Sequence, residues 1–322
     1  MISIVITAHN EARGIGATLT ALRRQTLPPD AYEVVLVDDR STDGTAEAAR
    51  AAGHPSLRIL PGAPDPASPL TTRQQALDAG FRTARGDIIL TLDGDCVVPP
   101  GWIAAMAEPI RADKADAVAG PIGFAPVRGA VALWQNADAA YYYAVSALVA
   151  RAGRAPGAFF GNFAFRRGLY DRVGGFEAIG FALTEDLAFT RAIHAAGARI
   201  VFAGLRADVA PCPTAAALVA RTMRIAQGPA SALAAVLAAI PLTLLALMLG
   251  AAVTGDGTLW ALAGLRWLAG AGFVAAATAR HGPLAALPAA PIYEPGAVLL
   301  AVAVLVARAR GAGVGWGGRR YG

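Results

Sequence analysis

The sequence predicts an α/β fold, a doubly wound and mostly parallel sheet followed by C-terminal transmembrane helices, on three observations. Short apolar runs alternate with stretches of helical spacing through the first hundred or so residues, the rhythm of successive βαβ units. Acidic or amide-bearing turns, Asn10-Glu11, Asp38-Asp39 and Asp93-Gly94-Asp95, follow three of those runs, where such sheets bind ligands. The hydrophobic share of 55% exceeds that of an ordinary soluble enzyme, and residues 229–253 carry no charge over a length that can cross a bilayer.

The elements follow in order. Residues 2–7 are β-branched with little alternation, as a strand covered on both faces requires. Residues 12–24 have helical spacing, and a second apolar run at 33–37 ends in the polar turn 38–44 before a helix to about 52. A strand at 57–60, a helix at 71–84 and a strand at 87–92 continue the alternation. Pro61, Pro64, Pro66 and Pro69 mark a loop that is neither helix nor central strand. Further on, the pattern predicts a helix at 102–112, a strand at 117–122 and a long helix at 129–150. The Trp134 and Tyr141-Tyr142-Tyr143 rings of that helix read as packing rather than as a binding platform. Thr184 stands where an N-cap would, which puts Glu185 and Asp186 in a first helical turn, where the helix dipole favours carboxylates.

The expected organisation is a catalytic domain over 1–228 ending in an interfacial helix, a membrane region over 229–310 and a basic, aromatic tail over 311–322. The membrane segments lie near 229–253, 258–278 and 284–307. Arg266 interrupts the second, an expensive charge unless it faces protein or snorkels; Pro288, Pro291, Glu294 and Pro295 break the third. Arg308, Arg310, Arg319 and Arg320 favour the cytoplasmic side, yet three full spans would place them outside, so one segment is expected to be re-entrant or interfacial. The net charge of +5 rests almost wholly on arginine, with Lys114 the only lysine. With no dense basic run or interleaved aromatics, this suits anionic lipid and implies no nucleic-acid partner. Cys96 and Cys212 have no CxxC spacing, the four histidines no metal-ligand spacing, and no signal peptide is expected ahead of a strand starting at Ile2.

Asp93 and Asp95, one residue apart beyond a buried strand, make an oxygen-rich corner where a hard divalent cation and a diphosphate can meet. A plain Asp-Gly turn would carry the same letters. Taken together, the pieces Thr7-Ala8-His9-Asn10-Glu11, Val37 through Thr45, Leu92-Asp93-Gly94-Asp95, Gly161 through Arg167, Val173-Gly174-Gly175-Phe176 and Thr184-Glu185-Asp186 resemble the family 2 glycosyltransferases of GT-A fold. The resemblance runs from Met1 to about residue 228 and implies a nucleotide-sugar donor, UDP-linked, and a divalent metal, Mg²⁺ or Mn²⁺. It implies that Thr7, Asn10, Glu11, Asp38 and Asp39 face the nucleotide, that Asp93 approaches the ribose or the metal, and that Asp95 is the metal ligand. Arg73 falls where the family often has a basic residue near phosphate, although a surface arginine would read the same. Asp186 is the implied general base, with Glu185 a helper, and Asn162 belongs to the acceptor or diphosphate side.

One motif departs from the family's pattern. Many membrane-associated relatives carry Gln-x-x-Arg-Trp; here Arg221 replaces the glutamine and Ile225 the tryptophan, while Arg224 keeps the arginine. That weakens a processive polysaccharide synthase. Arg221 and Arg224 share a helix face and could meet phosphate or a lipid headgroup. The tail Gly315-Trp316-Gly317-Gly318-Arg319-Arg320-Tyr321 resembles the ending of bacterial family members that glycosylate lipids. The expectation is therefore a transferase of the bacterial inner membrane, facing the cytosol, that moves one sugar to a lipid or lipid-linked acceptor. A non-catalytic scaffold would have no physical need for Asp39, Asp93, Asp95 and Asp186 together.

Overall fold

The computed structural model describes the backbone at 1–226, 232–310, 314–316 and 319–321, and side chains at 1–226, 235–237 and 239–310. The expected domain limit at 228, the first residues of the segment 229–253 and the rest of the tail lie outside the described residues. Two compact units result, Met1–Ile122 with Ala155–Ala210, and Gly123–Arg154 with Pro211–Gly322. This differs from a division at 228: the helix predicted at 129–150 and the one carrying Arg221 group with the apolar segments.

In chain order the elements are β1 (Ile2–Ala8), α1 (Ile15–Arg23), β2 (Tyr32–Asp38), α2 (Thr45–Ala51), β3 (Leu57–Pro61), α3 (Thr72–Thr83) and β4 (Ile88–Asp93). There follow α4 (Trp102–Arg111), β5 (Ala117–Ala119), β6 (Ile122–Phe124), α5 (Gly129–Arg151), β7 (Phe163–Arg166), α6 (Arg167–Arg172), α7 (Gly175–Ile179) and α8 (Glu185–Ala195). The chain continues through β8 (Ile200–Phe202), β9 (Ala207–Val209), α9 (Ala215–Ile225), α10 (Ala232–Thr254), α11 (Gly257–His281) and α12 (Tyr293–Ala309).

The first unit is built on a sheet of seven strands in the order β3-β2-β1-β4-β7-β5-β8. β3, β2, β1 and β4 run parallel, while β7 lies antiparallel between β4 and β5. β1 is buried along its whole length, which is why its sequence does not alternate. The strand predicted at 117–122 is two strands, broken at Gly120-Pro121, where a Cβ on Gly120 would fall inside the Asn162 amide. Pro61 closes β3, an edge strand, where a missing donor is tolerated.

Two packing features position the site. α3 starts with a capping box between Thr71 and Gln74, which fixes its first turn and with it Arg73. Gly80 lets the same helix lie on the sheet, since a Cβ there would come within 2.5 Å of Val5 Cγ1. α8 is anchored by Phe189, buried among Phe163, Phe165 and Phe176, with its ring 4.9 Å from that of Phe165. Asp186 stands one turn ahead of that anchor.

Among the described residues of the second unit three helical stretches are long and apolar enough to cross a membrane: Ala235–Thr254, Gly257–His281 and Leu284–Ala309. They coincide closely with the expected segments. The third opens with the proline-bearing 3₁₀ turn Leu284–Ile292 and becomes α-helical at Tyr293. The two charges that looked expensive in the sequence answer each other: Arg266 Nη2 donates to Glu294 Oε1 at 3.0 Å and to the Ile240 carbonyl at 2.6 Å. Gly270 makes the room, since a Cβ there would lie 2.2 Å from Glu294 Oε1. The expected tyrosine packing holds, as the Tyr141 ring lies tilted against Tyr293 and edge-on to Phe273. In the tail, Val314–Trp316 pairs antiparallel with Arg319–Tyr321.

Candidate active site

The parallel register sets the ends of β1, β2 and β4 level, pairing Ala8 with Asp38 and Thr7 with Asp93. The loops beyond β1 and β2 are stitched together. The Asn10 N–H donates to Ser41 Oγ, Asn10 Oδ1 accepts from the Thr42 N–H, and the Glu11 N–H donates to Thr45 Oγ1. Asn10 and Arg40 hold φ of 59° and 57°, left-handed conformations that this stitching sustains. Asn10 was expected to face the nucleotide; its carboxamide oxygen instead braces the neighbouring loop. Asp38 Oδ1 caps its own turn through the Ser41 N–H, and Asp39, buried, accepts from Arg40 Nε at 2.9 Å. Gly62 comes so close to this turn that a Cβ would lie 2.9 Å from the Asp38 carbonyl.

Arg73 is no surface arginine. Its Nη2 donates to Asp93 Oδ1 and its Nε to Glu185 Oε1, both at 2.6 Å. One guanidinium thus ties the last residue of β4 to the first turn of α8, more than ninety residues later in the chain. Burial works against that charge, but the carboxylates of Asp93 and Glu185 outweigh it and keep the guanidinium protonated. Close approach is again bought with glycine: a Cβ on Gly161 would sit 2.8 Å from Asp93 Oδ2, and one on Gly14 would sit 3.0 Å from Asp95 Cα.

The corner carries excess negative charge. Burial first, then the charges of Asp95, Asp93 and Asp43, push the Glu11 carboxyl up to about 7. Asp186 is likewise raised, by burial and then by the Glu185 charge, although its Oδ1 accepts from the Leu187 N–H at 2.8 Å. Ligand atoms of Asp93, Asp95 and Cys96 lie within 4.8 Å of one another. The carboxylates fit a hard cation such as Mg²⁺ or Mn²⁺. Cys96 does not, because burial holds its thiol protonated and its Sγ turns to the Gly161 carbonyl at 3.7 Å. Thr7 Oγ1 and Thr184 Oγ1 are buried with no protein partner, polar atoms that a bound ligand would satisfy. Thr184 holds the N-cap position, but its hydroxyl makes no cap bond.

Asn162 departs from the expected ligand role. Its Oδ1 accepts from the Trp102 indole, and its Nδ2 donates to the Pro121 and Leu205 carbonyls, so the buried amide supports the wall of the site. Arg221 and Arg224 stand on α9 in the second unit, with the Arg221 guanidinium 4.8 Å from the centre of the Phe124 ring. The sequence did not show the two hydrogen bonds of Arg73 to Asp93 and Glu185; their only trace is the box Thr71-x-x-Gln74, which sets that residue in a helical first turn. Glu11, expected to face the nucleotide, is half-buried beyond β1.

The profile of the family described as "Glycosyl transferase family 2" matches residues 3–174, more than half of the chain. The chain belongs to glycosyl transferase family 2. This glycosyltransferase is 33% identical over 137 residues to the glycosyltransferase AglE of Haloferax volcanii, covering 41% of this chain and 42% of that one. It is 36% identical over 116 residues to an undecaprenyl-phosphate 4-deoxy-4-formamido-L-arabinose transferase of Aeromonas hydrophila, covering 34% and 33%. These alignments span less than half the length of either relative. The fold is shared with the mannosyltransferase PcManGT of Pyrobaculum calidifontis, solved with GDP-Man and Mn²⁺, at a TM-score of 0.59 and 22% identity over 94% of this chain and 86% of that one. Asp186 lies beyond the matched segment.

The raised carboxyls set a direction for stability. Between the ordinary glutamate value of 4.5 and about 7, the folded chain holds a proton on Glu11 that the unfolded chain has released, so stability falls as pH rises through that window. Asp186 acts with the same sign. The unfolding midpoint of the full chain in lipid nanodiscs is expected to drop from about pH 5 to about pH 8. Added Mn²⁺ should restore more stability at the higher pH, because a cation offsets the charges that raise these groups. A midpoint that rises with pH, or a Mn²⁺ effect independent of pH, would contradict the clustering of these carboxylates.

Proposed function

We propose that this glycosyltransferase moves a single sugar from a UDP-linked donor to a hydroxyl of a lipid or lipid-linked acceptor, with inversion at the anomeric carbon. The observation that carries the reading is the Asp93–Arg73–Glu185 bridge, which gathers the Asp93/Asp95 corner and Asp186 into one cluster. Thr7, Glu11, Asp38 and Asp39 line the donor side, and Asp93 with Asp95 would hold Mg²⁺ or Mn²⁺. Once bound, that cation neutralises the diphosphate and stabilises charge on the leaving group. The Asp186 carboxylate accepts the proton of the acceptor hydroxyl as its oxygen bonds to the anomeric carbon. The bond from that carbon to the diphosphate oxygen breaks, and the nucleoside diphosphate departs with the electron pair. A raised Asp186 is a stronger base for this step than an exposed aspartate. Arg73 stays protonated throughout and keeps both carboxylates in place.

Support for a lipid acceptor comes from the apolar helices and from relatives whose names specify undecaprenyl-phosphate. Arg221 and Arg224, on the helix that precedes α10, are assigned to an anionic headgroup or the donor diphosphate. The chain is placed in the bacterial inner membrane with its first unit in the cytosol, where nucleotide sugars are made. The third segment, broken by its 3₁₀ opening at Leu284–Ile292, is the one assigned as re-entrant.

The test incubates membranes holding the chain with a panel of radiolabelled nucleotide sugars, followed by lipid extraction. The label should enter the organic phase as one discrete glycolipid, from a UDP-sugar and only with divalent metal. A long water-soluble polymer would favour a processive synthase instead, and label confined to the donor would refute transfer.

A further inference from the structure

α8 begins without the bond that ordinarily fixes a helix start. Thr184 stands at its N-cap, yet the hydroxyl makes no cap bond, and its backbone (φ −117°, ψ 72°) is not the extended one usual there. Phe189 anchors the helix one turn on, so what the missing cap leaves open is the first turn, which carries Asp186. Two neighbours on the first turn of α3 hold it from outside. Arg73 holds Glu185 as described, and Gln74 holds the loop ahead of α8. Gln74 Nε2 donates to the Gly180 carbonyl at 2.8 Å, and its Oε1 accepts from the Ala182 N–H at 3.2 Å. The Gln74 side chain does this from a fully buried position.

The capping box accounts for only part of this side chain. Gln74 Oε1 accepts from the Thr71 N–H at 3.1 Å and so closes the box, a task that needs an acceptor alone and that glutamate performs as well. The amide N–H aimed at Gly180 is outside that task. Gly180 itself holds φ 83° and ψ −175°, a conformation open to glycine and closed to other residues, so the loop turns sharply where Gln74 grips it. We propose that Gln74 is a positioning residue for the transfer step. Through the backbone of Gly180 and Ala182 it sets the loop that leads into α8, and with it the placement of Asp186 against the acceptor hydroxyl. The proposal rests on the reading of Asp186 as the base.

The experiment uses the full chain in lipid nanodiscs and three variants. Gln74→Met keeps the unbranched length and removes the bonds of the amide. Gly180→Ala disturbs the same contact from the loop side: a Cβ there meets nothing within 4 Å, so its effect is the φ that alanine resists. Thr71→Ala removes the hydroxyl that accepts from the Gln74 N–H and leaves the bonds to the loop in place. Hydrogen exchange read by mass spectrometry should run about tenfold faster at the Ala182 peptide in Gln74→Met and Gly180→Ala. Turnover is read as label entering extracted lipid from the nucleotide sugar that the panel selects. In both variants kcat should fall by about a hundredfold, the scale of a misplaced reacting group, with KM for that sugar within a few-fold. Thr71→Ala measures what the cap alone contributes, and its loss of kcat should be at least about tenfold smaller than either. In an Asp186→Asn background Gln74→Met should lower kcat no further, because it acts through that residue. Equal losses in Gln74→Met and Thr71→Ala, unchanged exchange at Ala182, or a further hundredfold loss beside Asp186→Asn would overturn the proposal and leave Gln74 a cap. Because exchange at Ala182 reads the loop and not the chemistry, failure here is distinct from failure of the base reading.

Discussion

Asp186→Asn is expected to lower kcat by about two orders of magnitude or more, the usual contribution of a positioned base, while nucleotide-sugar affinity changes little. The substitution keeps shape and leaves an oxygen to accept from the Leu187 N–H, so the first turn of α8 should remain intact. It removes only the charge and the basic oxygen. The competing view makes Asp186 a helix-stabilising acid, placed in the first turn because the dipole favours it there. The two views differ in sign. The Asp186 carboxyl is raised by burial and by the Glu185 charge, so the ionised form is disfavoured in the folded chain and the asparagine variant should be the more stable protein near pH 8. A dipole-stabilising acid would instead lose stability on the same change. Measuring kcat, donor affinity and the unfolding midpoint on one preparation separates them. Turnover within a few-fold of wild type would remove Asp186 from the mechanism, and a loss of donor affinity matching the loss of turnover would make it a structural residue.

The left half of the sheet could be read from letters because local signals and tertiary structure agree there. β1, β2 and β4 are short, apolar runs each ended by a polar turn, and each sits where the runs predicted it. The right half is different. β7 and β8 are four and three residues long, too short for any period to register, β5 was legible only as part of an undivided strand at 117–122, and the order of these strands in the sheet bears no relation to their order in the chain. The reversal of β7 has no sequence mark at all, since strand direction is set by where the chain returns from and not by composition.

The same distinction governs the site. Asp93 and Asp95 stand at a strand end and Asp186 at a helix start, positions where residue type alone fits a plain turn or a dipole-favoured acid equally well and only the family resemblance implies a site. What links them could not be found that way. Arg73 meets Glu185 across 112 positions and Asp93 across 20, contacts that only the packing of α3 against the sheet brings about. Asn10 and Asn162 show the reverse case. Both have the chemistry of ligand-binding residues, yet Asn162 has its amide committed to protein partners, and Asn10 commits its oxygen to the Thr42 N–H. An amide cannot be assigned to ligand or scaffold until the partners of its oxygen and nitrogen are known. In the second unit, Arg266 and Glu294 each looked like a defect in a membrane segment. Their pairing across 28 positions makes them one feature.

Asp95→Ala is expected to abolish metal-dependent turnover, by about a thousandfold. A bound divalent cation supplies several kcal/mol of charge stabilisation at a leaving diphosphate, and each 1.36 kcal/mol is a factor of ten. The same variant should lose the extra Mn²⁺ stabilisation expected at high pH, which ties the kinetic effect to binding and not to misfolding. Asp93 is the poorer variant for this purpose, because its removal would also strip Arg73 of a partner at 2.6 Å and disturb Glu185 through it. Cys96→Ser supplies the control on ligand type. The Cys96 sulfur is near both carboxylates but turns to the Gly161 carbonyl, a bond that a serine hydroxyl can make, so Mn²⁺ affinity and turnover should hold within a few-fold. If Cys96→Ser instead lost metal while Asp95→Ala kept it, the centre would be one for a softer ion. Full turnover by Asp95→Ala in excess chelator would mean that Arg73, and not a cation, carries the leaving-group charge.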